Sequence, residues 1–79
     1  MNILVTETSA EKALRKTLKI KEETSFKLGQ ELAARIVNDL GDGHEETLVL
    51  VEHNGSLYVL RGSDNLVRKV LLTFYFLSN

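Results

Sequence analysis

The sequence has no cysteine, no proline and no tryptophan among its 79 residues. Without cysteine there is no disulfide staple and no thiolate metal site. Without proline no turn has its φ preset by a ring, and no slow X-Pro isomerisation enters folding. An excess of one charge is also lacking: 10 Lys and Arg stand against 11 Asp and Glu, a formal net charge of −1. That balance supplies no global drive toward nucleic acid or an anionic membrane. Long apolar runs are missing too. None approaches the roughly 20 residues needed to span a bilayer. The N-terminal MNILVTETSAEK has a short apolar run closed at once by Glu7, which does not read as a signal peptide. The expectation is a cytoplasmic protein with no membrane contact.

What is present is ordinary globular usage, 43% hydrophobic and 27% charged, which predicts one domain over residues 1–79. A domain this small buries a modest share of its surface. With disulfides excluded, oligomerisation is the usual remaining support.

The stretch from Thr47 to Phe76 organises the chain. Asn54-Gly55 lies between the apolar runs TLVLVE and LYVLR. Asn-Gly is a strong hairpin signal, because both central residues of a type I′ turn need φ > 0. Leu48-Val49-Leu50-Val51 is apolar at successive positions, which places that strand centrally, or under cover on both faces. Upstream, Ile3-Leu4-Val5 is β-prone and reads as a short edge strand or tether. Thr8-Ser9-Ala10-Glu11 fits a capping box opening a first helix. Ala10, Ala13, Leu14, Thr17 and Leu18 form its apolar stripe, and Lys12, Arg15, Lys16 and Lys19 its basic back. Residues 17–21 also alternate, so they either end that helix or start a strand.

Glu22 to Ser25 reads as a break and a new N-cap. A second helix then follows, with Phe26, Gly29, Leu32, Ala33, Ile36, Val37 and Leu40 on one face and Gly41 as its stop. Residues 66–77 fit a helix capped by Ser63 or Asp64, or a strand. The aromatic and β-branched run Val70–Leu77 favours the strand. The fold class expected is therefore α+β: two N-terminal helices packed on a small antiparallel sheet built around the Thr47–Leu60 hairpin, in a single two-layer domain.

Little chemistry can be assembled from these residues. Asp39, Asp42, His44, Glu45 and Glu46 lack the spacing of an EF-hand loop. His44 and His53 end one strand about 30 Å apart at about 3.3 Å per residue, too far to share a metal or a proton. Ser56 and Ser63 lie in turns, outside any nucleophile elbow. The glycines match neither a Walker loop nor a dinucleotide fingerprint. No catalytic residue, metal site or cofactor is expected.

His53, Gly55, Tyr58, Leu60 and Arg61, followed by Lys69, Leu71, Leu72 and Thr73, resemble the C-terminal signature of the small hemin-uptake HemP family. In that family the end runs as a hairpin. The resemblance implies only a hairpin of that type. The second block is displaced here by Val67-Arg68, the terminal lysine is replaced by Phe74, and the N-terminal part has no counterpart.

The function expected is a non-enzymatic binding or regulatory module acting through protein–protein contacts, of the inhibitor or accessory-protein kind found in phages and mobile elements. Its partners would be a second copy, as a homodimer, or another protein. The apolar C-terminal run supplies the contact, at Leu72, Phe74, Tyr75 and Phe76. The alternative is a nucleic-acid-binding regulator contacting phosphates through Lys12, Arg15, Lys16 and Lys19. The net charge of −1 and the neighbouring Glu11, Glu22 and Glu23 disfavour it.

Overall fold

The computed structural model describes residues 2–73. Five strands and two short helices follow one another. They are β1 (Asn2–Glu7), α1 (Ala10–Lys16), β2 (Ile20–Leu28), β3 (Glu31–Gly41), β4 (His44–His53), β5 (Ser56–Gly62) and α2 (Asp64–Thr73). The strands form one antiparallel sheet in the order β1-β5-β4-β3-β2. β2 to β5 are a meander of hairpins, and β1 returns to pair with the last strand.

The hairpin at Asn54-Gly55 is present. Asn54 has φ 51° and Gly55 φ 79°, the paired positive values of a type I′ turn. β4 is the middle strand of five, as its doubly apolar sequence predicts. Side chains alternate across a strand, so β4 feeds two separate clusters. Val49 and Val51 join Leu28, Ala33, Leu60 and Val67 on the face covered by α2. Leu48 and Leu50 join Ile36, Leu57 and Val59 on the face where Leu14 and Leu18 of the α1 region pack. The sheet is thus covered from both sides, and the expected two-layer arrangement becomes three thin layers.

The larger correction concerns the predicted second helix over residues 25–40. That region is the β2–β3 hairpin. Gly29, placed in a helix interior by the apolar spacing, instead has φ 64° in the turn. The spacing of Ala33, Ile36 and Val37 fits both readings, because it also supplies one apolar residue to one face and two to the other. Ile36 enters the α1-side cluster and Ala33 the α2-side cluster. The decisive signal is Asp42-Gly43, with φ 53° and 77°. It is the same positive-φ pair found at Asn54-Gly55, and it folds β3 back onto β4. A helix ending at Gly41 could not supply the long ladder from Ala33↔Val51 to Asn38↔Glu46.

The C-terminal segment is also corrected. Residues 64–73 are helix α2, where the aromatic run favours a strand. Val67 is fully buried, and Val70 and Leu71 pack beside it, an i, i+3, i+4 stripe. Ser63 opens the helix: its carbonyl accepts from the Val67 N–H at 3.0 Å and its hydroxyl from the Leu66 N–H at 3.4 Å. The block Lys69 to Thr73 is therefore helical, so the hairpin implied by the HemP-like residues stops at β5. The capping box at Thr8 is replaced by a simpler start. Ser9 is the N-cap with no side-chain cap bond, and the Glu11 carboxylate turns to Arg15 instead. Strand β2 begins at Ile20, which takes residues 20–21 away from the helix.

Candidate functional site

The basic face predicted on α1 is divided by the fold. Strand β2 brings Glu23 under the helix, and Arg15 meets it with two parallel bonds, Nη1 to Oε1 at 2.9 Å and Nη2 to Oε2 at 3.0 Å. The Arg15 Nε donates to Glu11 at 2.8 Å, one helical turn away. These carboxylates raise the Arg15 pKa further, and the guanidinium lowers that of Glu23. Lys12 and Lys16 stay exposed on the helix, and Lys19 on the connector behind it. That connector is held from below: buried Asn38 accepts from the Lys19 N–H at 2.7 Å, and the Lys19 carbonyl accepts from the Asp39 N–H at 2.8 Å.

Because α1 has only seven residues, it covers part of its sheet face. Beside it lies an open depression of about 420 Å³, walled by Arg15, Glu11 and Glu23, floored by Ala34 and Leu50, and rimmed by Leu32. General acid–base work needs a group tuned toward the operating pH. The two shifted groups here are tuned away from it, an arginine upward and a carboxylate downward. The depression can accept an apolar side chain. Ser25 and Glu31 also line it.

A second charged cluster ties α2 to the other face. The Asp64 carboxylate accepts from Arg35 Nη2 at 2.6 Å, Arg68 Nε at 2.6 Å and the buried Thr47 hydroxyl at 3.0 Å. These donors hold the Asp64 pKa down at about 2. Strands β3 and β4 are thereby bonded to the first residue of α2. The network acts as a positioning device, and sequence reasoning missed it because its members are spread from Arg35 to Arg68.

His44 and His53 lie at opposite ends of β4, as predicted. Among the described residues no group of three or more His, Cys, Asp and Glu side chains is placed to hold a metal ion. Of the predicted C-terminal contact, Leu72 is 87% exposed on α2. Phe74, Tyr75 and Phe76 lie outside the described residues. Among those residues no helix is long and apolar enough to cross a membrane.

The most unusual surface is the edge of the sheet at β1. Ile3, Leu4 and Val5 are 53%, 54% and 53% exposed. Among the described residues β1 pairs on one side only, with β5, and its register runs unbroken from Asn2↔Arg61 to Glu7↔Ser56. The opposite edge, β2, carries Lys21, Glu22, Glu23 and Lys27 and a register break between Ile20 and Glu22. Charges and bulges are the devices that keep an edge from pairing with another chain. One edge has both; the other has neither between Asn2 and Thr6.

Fold and edges together define a class of architecture: among the described residues, a five-stranded antiparallel sheet with a short helix on each face, guarded at one edge and open at the other. No protein-family model matches the chain, and comparisons with curated proteins and with solved structures find no match.

Proposed function

We propose that this protein is a non-enzymatic binding module, working through protein–protein contacts made at the open edge β1. One observation carries the reading: three consecutive large apolar side chains, half exposed, on a regular edge strand that carries no charge from Asn2 to Thr6. An edge of this kind presents a row of free N–H and C=O groups, to which an incoming strand adds by main-chain hydrogen bonds. The alternating side chains Ile3, Leu4 and Val5 then give apolar contact on both faces. Exposed Leu72 is available as a further contact on the α2 side.

The competing nucleic-acid reading loses Arg15, whose guanidinium is already occupied by Glu11 and Glu23. Lys12, Lys16 and Lys19 remain for phosphates. The test is native mass spectrometry of the protein isolated gently from its own source, wild type beside Val5→Lys. The wild type is expected in a protein complex and the variant as a bare monomer. A bare wild-type monomer refutes the reading, and wild type carrying nucleic acid transfers support to the alternative.

A further inference from the structure

We propose that the strand added to β1 is β1 of a second copy, paired antiparallel about a two-fold axis at Leu4. This deepens the reading just given and rests on it. A two-fold axis perpendicular to a sheet keeps each side chain on its own face, so residues opposed across it must share parity along the strand. Three registers satisfy this within the apolar run. Centred on Ile3, the pairing sets Leu4 against the partner's Asn2. Centred on Val5, it sets Ile3 against the partner's Glu7 and Leu4 against the partner's Thr6. Centred on Leu4, it sets Leu4 against the partner's Leu4, Ile3 against the partner's Val5, and Asn2 against the partner's Thr6. The third register alone gives every apolar residue an apolar partner and every polar residue a polar one.

The same register continues rows already built inside the subunit. Leu4 stands beside Val59, which stands beside Leu50. Ile3 stands beside Leu60 and then Val49, and Val5 beside Tyr58 and then Val51. Across the axis the Leu4 row meets its own copy and the Ile3 row meets the partner's Val5 row, so both core clusters extend through the joint into one ten-stranded sheet. Charge agrees with this occupant. Asn2 to Thr6 is free of ionisable side chains, so two identical edges oppose no like charges, and Glu7 falls beyond the paired stretch. Contact along the five residues Asn2–Thr6 is about 17 Å long, which is small for a permanent interface and suits a dimer of micromolar affinity.

The absence of cysteine makes the geometry directly readable. Directly opposed residues have Cβ atoms about 4.5–5.5 Å apart, whereas positions two residues out of register are about 7–8 Å apart. Purified Leu4→Cys is therefore expected to form a disulfide-linked dimer under mild oxidation, and Ile3→Cys and Val5→Cys to stay mostly uncrosslinked. Equal crosslinking at all three positions, or none at Leu4, overturns the register. Sedimentation of the pure wild-type chain at roughly 100 µM, enough to populate a micromolar dimer, is expected to show a dimer. Leu4→Lys places two like charges opposite each other and should weaken the dimer at least about 10-fold. A folded wild-type monomer at that concentration refutes the second copy as occupant. If the same protein still emerges complexed from its source, only this inference fails; if it is bare there too, the binding-module reading fails with it.

Discussion

Replacing Asp64 by asparagine removes the charge at the hub joining α2 to β3 and β4 while keeping the side chain's shape. The carboxylate is held at about 2 against an ordinary 3.8. At 1.36 kcal/mol per unit, that preference has a ceiling of roughly 2.4 kcal/mol. The Asp64 side chain is 39% exposed, and water screens a good part of such an interaction. The expected loss at pH 7 is about 1 kcal/mol, seen by circular dichroism as a fall of up to about 1 M in the urea midpoint. The pH dependence gives a sharper test. Since the folded-state pKa lies below the unfolded one, the stabilisation is complete above about 3.8 and drains away as pH falls toward about 2. Glu23 is depressed by Arg15, so the wild type has a second acid-sensitive contact. The difference between wild type and Asp64→Asn isolates the hub, and it should shrink steadily between pH 4 and pH 2. Equal stability at pH 7, or a difference that does not change over that interval, would refute the reasoning.

Other substitutions probe the remaining elements. Val67→Ala opens a space in the cluster under α2 and should cost about 2 kcal/mol in chemical denaturation, whereas Leu72→Ala, at 87% exposure, should stay within about 0.5 kcal/mol. Similar costs at the two sites would mean that α2 is docked by another face. Gly55→Ala forces a side chain into φ 79° and should cost about 1–2 kcal/mol, lowering the melting temperature by several degrees. Arg15→Ala removes partly exposed ion pairs and should cost less than about 1 kcal/mol; a larger loss would show that the α1 attachment depends on charge more than on Leu14 and Leu18.

Legibility in the sequence follows how local each signal is. The Asn54-Gly55 turn, the central place of β4 and the edge strand at Ile3-Leu4-Val5 can all be read from a few neighbouring residues. The β2–β3 hairpin was obscured because Ala33, Ile36, Val37 and Leu40 satisfy a helical period while also dividing between two buried faces. A sheet covered on both sides weakens strict alternation, which is the usual evidence for a strand. Asp42-Gly43 carried the correction, but it resembles a polar loop until β3 is allowed to be a strand. For α2, β-branched and aromatic composition outweighed the Val67, Val70, Leu71 spacing, and tertiary packing reversed that preference. The Asp64 network could not be foreseen: Arg35, Thr47 and Arg68 become neighbours only once β3, β4 and α2 are assembled. The basic face is visible on the helix, but Glu23, the partner of Arg15, arrives from strand β2, whose Glu22 to Ser25 also fit a helix cap.

The pairing of the first strand with the last sets an order of assembly. β2 to β5 join through tight turns, so each new strand finds its partner immediately. β1 must wait, because Asn2 lies opposite Arg61. Closing that span costs about 2 kcal/mol more chain entropy than closing a short hairpin loop. During synthesis Ile3, Leu4 and Val5 therefore leave the ribosome well before their partner β5 and find their place after the meander, an orphan apolar segment until β5 is made. The meander would form as a four-stranded intermediate with β5 at its edge, and β1 arriving from another molecule would fit that edge as well as its own. Crowded synthesis on one messenger thus favours strand exchange at the same edge, and slow, dilute refolding favours the self-contained monomer fold.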